Sequence, residues 1–197
     1  MSTFDEPDFN EPIRAERQTV RFFDGLEVDG YRMPNGEFRV GLEGTSRVLG
    51  FAPNWLYLTL SRNEGKTLKT LQGYGFDAYQ LRATVERPQG GTTTVDTISL
   101  DSFNICIVYG VQQKKKASLA LQLSLTKMSI MDFFRDAFGE RPLSIEEKRK
   151  LFYETYAATI SPEDWRRMDK QDILRLALPG DEPHLKKGRW NSWTEEN

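Results

Sequence analysis

The sequence predicts an α+β protein, with two β-hairpins around a helix-turn-helix-like unit and a helical C-terminal part. Three observations predict this class. Runs of β-type residues flank turn-forming residues at 34–36 and again at 88–91. Apolar residues change from strand-like to helical spacing between the hairpins, and again after Ser99. The chain, at 197 residues, is long enough to bury a core of its own.

The N-terminal segment is predicted to be a disordered acidic tail over residues 1–17, because it is rich in Asp, Glu and Pro and lacks apolar periodicity. Order is expected to begin near Gln18. The first hairpin then has strands near 27–33 and 37–42, since Pro-Asn-Gly between them suits a tight turn.

Residues 40–60, VGLEGTSRVLGFAPNWLYLTL, contain two short helical patterns. The small residues at 44–46 are what two closely crossing helices require, and Gly50 is suited to the turn between them. Pro53 is tolerated in the first turn of the second helix. The stretch therefore predicts a helix-turn-helix-like unit.

Helical spacing divides the second of these helices into two faces. The face predicted to fill the core consists of Trp55, Leu56, Thr59 and Leu60. The face predicted to be exposed consists of Asn54, Tyr57, Leu58 and Ser61. Asn can bond adenine through two hydrogen bonds, Tyr and Ser can bond bases or phosphates, and Leu can contact a thymine methyl. The alternative is that both faces pack against protein.

A glycine-marked loop through Gly73 and Gly75 is predicted next, followed by a second hairpin with arms at 78–87 and 92–99. This hairpin follows the two-helix unit in the order that a wing would. Ser99 is a candidate N-cap for a helix over 100–113.

The run from Lys116 to Phe138 is ambiguous. Alternate leucines at 119–125 fit a strand, whereas Leu121, Leu125 and Met128 fit one face of a helix. We predict a helix, because no breaker interrupts the run before Gly139. Further helices are predicted at 145–159 and 162–177, before a polar tail at 179–197.

The net charge of −2 is unevenly distributed. Residues 1–30 carry 3 basic and 8 acidic residues, residues 31–130 carry 12 and 7, and residues 131–197 carry 12 and 14. A basic middle part between acidic ends is expected of a surface that binds a polyanion. Scattered charge on a solvated surface would give the same counts.

The predicted partner is double-stranded DNA. Arg and Lys residues near the two-helix unit, on the second hairpin and in the triple lysine would contact phosphates, which gives salt-dependent affinity. The full set of predicted DNA contacts is Asn54, Tyr57, Ser61, Arg62, Lys66, Lys69, Arg82, Arg87, Lys114, Lys115 and Lys116.

The segment VDGYRMPNGEFRVGLEGTSRVLGFAPNWL, residues 28–56, resembles the N-terminal pattern of phage and plasmid antirepressor-type proteins of the KilA-N and Bro-N kind. It is also similar to uncharacterised cyanobacterial relatives that open with GYxMPxGxYR, as is the helical stretch at 100–139. The resemblance covers roughly residues 26–140. It implies a sequence-specific DNA binder from a mobile element, with Asn54, Trp55 and the basic hairpin arms at the positions that carry over.

No cofactor, metal site or catalytic residue is predicted. The single His184 lies in a polar tail, and the single Cys106 lies in an apolar run that predicts a buried thiol and excludes an internal disulfide. The enzymatic alternative is a Mg²⁺-dependent endonuclease. Its candidate groups are Glu64 and Lys66 with Asp29 or Glu43, and the Glu146-Glu147-Lys148 run.

A third class is a protein-interaction regulator without DNA binding, in which the acidic tail and Trp190 and Trp193 contact another protein. The C-terminal helices could form a homodimer, which would suit a palindromic DNA site. No apolar stretch is long enough to cross a membrane, so a cytoplasmic location is expected.

Overall fold

The computed structural model of the protein describes residues 12–62, 65–87 and 90–160. Within these ranges the chain forms a six-stranded sheet and six α-helices, which confirms the predicted α+β class. The strands are β1 (Ile13–Arg14), β2 (Glu16–Phe23), β3 (Leu26–Arg32), β4 (Phe38–Gly41), β5 (Leu81–Glu86) and β6 (Thr92–Ser99). The helices are α1 (Leu42–Val48), α2 (Trp55–Ser61), α3 (Lys66–Gly73), α4 (Leu100–Gln112), α5 (Lys116–Ala137) and α6 (Ile145–Thr159).

Both predicted hairpins are confirmed, as the antiparallel pairs β3–β4 and β5–β6. The sheet order is β1-β5-β6-β4-β3-β2, so the two hairpins join through β4 and β6, where Val40 lies opposite Ile98. The second hairpin is therefore part of the main sheet, and its role as a wing stays a prediction. Residues at this junction are buried only when the two hairpins pair with each other. Local sequence patterns do not predict such pairing between distant segments.

The prediction that order begins near Gln18 is wrong, because β1 starts at Ile13 and β2 starts at Glu16. Cross-strand ion pairs replace apolar periodicity in this edge region. The Arg17 guanidinium donates two hydrogen bonds to Asp29, at 2.9 and 3.1 Å, and Arg32 pairs with Glu16. Residues 1–11 of the predicted acidic tail lie outside the described residues.

Helix α3 replaces part of the predicted glycine-marked loop. Leu68 and Leu71 are buried on one side, and Lys66 and Lys69 are exposed on the other. Only two apolar residues of this helix are buried, so its sequence has a weak helical pattern and was predicted as a loop. Packing of these two residues against the rest of the protein stabilises the helix.

The later helices agree closely with the sequence. The Ser99 hydroxyl accepts a hydrogen bond from the Ser102 backbone N–H at 3.1 Å, which caps α4. Helix α5 confirms helix over strand for the ambiguous run, and Gly139 follows it with a φ of +68°. Helix α6 has its predicted bounds. The predicted helix at 162–177 and the tail at 179–197 lie outside the described residues.

The main core lies between the sheet and the helices. Val40 and Ile98 contribute from the middle strands, and Phe23 and Phe152 contribute where α6 packs on β2. Cys106 is fully buried in this core, and burial raises the pKa of its thiol to about 12, as a buried and unreactive cysteine requires.

The start of α6 is fixed by a capping box. The Glu147 backbone N–H donates to the Ser144 hydroxyl at 3.2 Å, and the Ser144 backbone N–H donates to the Glu147 carboxylate at 2.8 Å. The Arg141 guanidinium donates two further hydrogen bonds to this carboxylate, each 2.7 Å long. These bonds, with that to Arg141 contributing most, lower the pKa of Glu147 to about 2.

We expect Glu147→Gln to melt below wild type at pH 6, with a gap that closes as the pH falls to about 2. A carboxyl whose pKa is lowered on folding stabilises the protein above its ordinary pKa of 4.5 and loses that effect as the pH approaches the folded value. Glutamine keeps the capping box but carries no charge. Thermal melts from pH 6 to pH 2 measure the gap, which added salt should also narrow. A gap independent of pH would contradict the charge assignment.

Candidate nucleic-acid interface

Helices α1 and α2 cross as a helix-turn-helix-like unit. The turn glycine, Gly50, has a φ of +77°, a conformation that glycine adopts without strain. The buried Ser46 hydroxyl donates to the Leu42 carbonyl at 2.9 Å and accepts from the Leu56 backbone N–H at 3.2 Å. Ser46 therefore ties the first helix to the start of the second, whereas Gly44 lies against Val28 and Asp29 of β3 rather than against α2.

The two predicted faces of α2 are confirmed. The residues that face the core are Leu56, Thr59 and Leu60, which are buried, and Trp55, which is half-buried. The exposed residues are Asn54, Tyr57, Leu58 and Ser61. Tyr57 is 56% exposed, so this aromatic ring is available to a partner. One helix thus packs with one side and presents a mixed polar and apolar surface on the other.

An aromatic stack joins this unit to the turn between α4 and α5. The rings of Phe51 and Trp55 lie 3.9 Å apart and nearly parallel, and Tyr109 stacks 5.8 Å from Trp55. The Lys115 ammonium lies 4.9 Å from the centre of the Phe51 ring, within reach of a cation–π contact. The stack places the triple lysine beside the start of α2.

A close approach of α4 and α5 keeps the triple lysine in this place. The buried Ser118 hydroxyl of α5 donates to the Leu49 carbonyl at 2.8 Å. A Cβ atom on Gly110 would lie 2.0 Å from the Ser118 oxygen, so a glycine is needed where the helices meet. Lys114 between them adopts a φ of +58°. These contacts join α5 to the residues before α2 and to α4, which are far apart in the sequence.

Helix α3 reaches the same edge of the molecule. The Tyr74 hydroxyl at its end forms a hydrogen bond with the Gln112 side chain, two residues before Lys114. The cations that precede or belong to α3 and those of the turn between α4 and α5 are called the basic edge below; they are Arg62, Lys66, Lys69, Lys114, Lys115 and Lys116, all exposed except the half-buried Lys115. Among the described residues no carboxylate forms an ion pair with any of the six. Within the described ranges, an external anion would therefore meet no competing carboxylate at these six side chains.

Two further predicted DNA contacts, Arg82 and Arg87, lie on the second hairpin, and only Arg82 has an ion-pair partner among the described residues. Arg82 pairs across the sheet with Asp96 at 3.2 Å, so a phosphate would have to compete for it. Arg87 is exposed where β5 ends. Arg82 belongs to β5 and Arg87 follows it directly, so both lie on the second hairpin rather than on the three short helices.

A cleft of about 360 Å³ borders the other side of α2, where Asn54 and Tyr57 contribute to its wall. Asp29, Glu43 and Asp96 also line it, each paired with an arginine of the same chain. Arg47, the partner of Glu43, lines the same cleft, so the carboxylates that border it are neutralised within the chain.

The residues predicted for the endonuclease alternative have other partners where they are described. Asp29 and Glu43 pair with arginines, and Lys148 pairs with Asp132 at 2.7 Å. Within the described ranges, no group of three or more His, Cys, Asp or Glu side chains is placed to hold a metal ion. Glu64, His184, Trp190 and Trp193 lie outside the described residues, so the endonuclease and tail-mediated alternatives stay predictions.

No family model, curated protein or solved structure matches this chain. The resemblance to the KilA-N and Bro-N kind stays a prediction. Of the helices in the described part of the chain, none has the length and apolar content to cross a bilayer.

Proposed function

We propose that this protein binds double-stranded DNA in the cytoplasm and acts as a transcriptional regulator or antirepressor of the mobile-element type. The observation that supports the proposal is the exposed polar face of α2 together with Lys115, which lies over Phe51 at the start of this helix, while Arg62, Lys66 and Lys69 follow α2 directly in the chain. A surface of this kind combines phosphate attraction with side chains able to contact bases.

The dimensions of α2 suit a DNA groove. An α-helix with its side chains is about 10–12 Å across, and the major groove of DNA is about 12 Å wide, so the groove admits a helix such as α2. Asn54 supplies donor and acceptor groups for adenine, and Leu58 supplies an apolar contact for a thymine methyl. Tyr57 and Ser61 extend this face toward Arg62. The cations of the basic edge then contact the phosphates alongside the groove.

We expect Arg62→Ala/Lys66→Ala/Lys69→Ala to bind random duplex DNA about tenfold or more weakly and with a flatter salt dependence. Each phosphate contact contributes about −0.9 to the slope of log K against log salt. Losing three contacts should therefore reduce the slope by between about 2 and 3. Fluorescence anisotropy of a labelled duplex pool at several salt concentrations measures both quantities.

The matched control is Lys127→Ala/Arg149→Ala/Lys150→Ala. These three cations of α5 and α6 are exposed, form no ion pair with a described residue, and change the net charge by the same amount. The control should keep the wild-type slope. Equal losses in both triple variants would mean that general charge, not the basic edge, governs retention. No wild-type retention at low salt would refute the proposal.

A further inference from the structure

The cleft beside α2, called the α2 cleft below, is lined by residues of β3, β6, α1 and α2. Its volume of about 360 Å³ falls within the range of about 300–1,000 Å³ that is usual for sites that bind small molecules. The lining residues on which its chemistry depends are Asp29, Tyr31, Gly41, Glu43, Tyr57 and Asp96. Polar groups that converge on a cleft of this size define a candidate binding site for a small molecule.

A tyrosine hydroxyl is held rigidly at the α2 cleft. Tyr31 is only 3% exposed, and its ring packs with Met33, Ala83 and Val85 in a small second core. The hydroxyl end of the ring lies against Gly41, where a Cβ atom would be 3.6 Å from the hydroxyl oxygen. Both residues line the cleft, so packing fixes the hydroxyl beside it.

The Tyr31 hydroxyl has an unused capacity for hydrogen bonding. Among the described residues, none forms a hydrogen bond with it. Burial, and next the charge of Asp29, raise the pKa of Tyr31 to about 12, so the hydroxyl keeps its proton at neutral pH and can donate it. Nearly all polar groups on buried side chains are hydrogen-bonded in folded proteins. This hydroxyl is therefore positioned to bond a molecule in the cleft.

Three carboxylates on different elements also line the cleft, and they are Asp29 of β3, Glu43 of α1 and Asp96 of β6. Each is paired with an arginine through one of its two oxygens. Asp29 accepts both hydrogen bonds from Arg17 on Oδ1, and Asp96 accepts from Arg82 on Oδ1. Among the described residues, none donates to the second oxygen of any of the three. The arginines thus hold the carboxylates in place and leave one acceptor of each to a ligand.

The charges of the cleft favour a neutral ligand over a cation. Each carboxylate is compensated by its arginine, and Arg47, the partner of Glu43, lines the cleft itself and would repel a cation. Because the three acceptors come from three elements, the ligand must present donors in several directions. A sugar ring carries hydroxyl groups around its whole edge, and each of them can donate and accept. A nucleobase carries its N–H donors along one edge only.

We propose that the α2 cleft binds a neutral monosaccharide. The sugar hydroxyls bond the unused carboxylate oxygens and the Tyr31 hydroxyl, and the 56% exposed ring of Tyr57 packs on the C–H face of the sugar. Sugar binding is independent of the proposed function, because it requires no DNA. Asn54 and Tyr57 also belong to the face of α2 proposed to contact DNA, so a bound sugar should weaken DNA binding, and this consequence alone rests on the proposed function. Duplex anisotropy with and without the sugar measures it.

Saturation-transfer difference NMR of the full chain without DNA tests the site. The sugar probes are D-glucose, D-galactose, D-mannose and D-ribose at millimolar concentration, and the comparison probes are 9-methyladenine and putrescine. We expect saturation to reach the C–H protons of at least one sugar, and a titration gives its dissociation constant. Tyr31→Phe and Tyr57→Ala should each raise that constant about threefold to tenfold, because the first removes a hydrogen bond and the second removes an aromatic contact.

Two variants outside the cleft are the controls. Tyr153→Phe makes the same change at a half-buried tyrosine of α6, and Leu58→Ala truncates an exposed residue of α2 that does not line the cleft. Both should keep the wild-type affinity for the sugar. Tyr31→Phe breaks no hydrogen bond within the described part of the chain, so its midpoint of urea unfolding should be at or above that of wild type.

Four outcomes would overturn the proposal. No saturation of any sugar would mean that water alone bonds the Tyr31 hydroxyl. Saturation of 9-methyladenine or putrescine alone would assign the cleft to a heterocycle or a cation. A sugar affinity that Tyr31→Phe and Tyr57→Ala both leave unchanged would place the sugar elsewhere. A lower urea midpoint for Tyr31→Phe would show that the hydroxyl has a structural role. None of these results decides whether the protein binds DNA.

Discussion

Replacing Phe152 with alanine is expected to lower the free energy of unfolding by about 3–5 kcal/mol, the cost of removing a buried aromatic ring from a packed core. Phe152 is only 1% exposed. Its ring stacks on Phe22 at 5.4 Å and lies 5.9 Å from Phe23, both on β2. The substitution therefore removes aromatic contacts and leaves a cavity between α6 and the sheet.

The consequence should extend beyond α6, because this helix holds the edge of the sheet in place. Tyr156, one turn later, also packs on Phe23, at 5.4 Å, so α6 reaches β2 through two successive aromatic residues. Removal of the Phe152 ring should therefore also loosen the packing of Tyr156 on Phe23. Helix α6 also packs along α5, so we expect the second half of α5 to become more mobile in the variant.

Chemical denaturation with urea measures the change in stability. Phe38→Ala is the control, since that phenylalanine is 58% exposed and its truncation should change stability by less than about 1 kcal/mol. A loss below about 1 kcal/mol for Phe152→Ala would mean that α6 does not pack on β2 as described.

Local patterns in the sequence were sufficient where an element carries its own signals. The turn at 34–36 predicted the first hairpin, and Gly36 has the positive φ, +85°, that such a turn uses. Helical spacing predicted both faces of α2, because a helix with one buried side must place its apolar residues on that side. Helix α6 has the bounds predicted for it, and the structure adds a complete capping box of Ser144 and Glu147 at its start, which the sequence prediction did not use.

Long-range packing decided what the sequence did not predict. The junction of β4 with β6 depends on residues far apart in the chain, such as Val40 and Ile98. The position of Lys115 over Phe51 depends on the approach of α4 to α5 at Gly110. The sequence shows three adjacent lysines at 114–116 but not where they lie. Only the folded chain shows that Lys115 lies over Phe51, next to the start of α2.

The same packing separates stability from recognition on α2, and Leu56 and Leu58 test the separation. Leu56 is fully buried, so Leu56→Ala is expected to lower the free energy of unfolding by about 2–5 kcal/mol. Leu58, two residues later, is 38% exposed on the opposite face, so the same truncation should cost less than about 1 kcal/mol. Urea denaturation of both variants measures this difference within a single helix.

DNA binding should rank the two variants by a different criterion. Leu58→Ala removes an apolar group from the proposed recognition face without changing a charge, so affinity should fall while the salt slope keeps its wild-type value. Leu56→Ala should lower affinity only in proportion to the fraction of molecules in which α2 is unfolded, and conditions that stabilise the fold should restore binding. If Leu58→Ala binds DNA as wild type does, Leu58 makes no contact and the recognition surface is limited to the polar residues of α2. If Leu56→Ala is as stable as wild type, α2 does not pack on the core, and the two-faced helix on which the proposed interface depends is refuted.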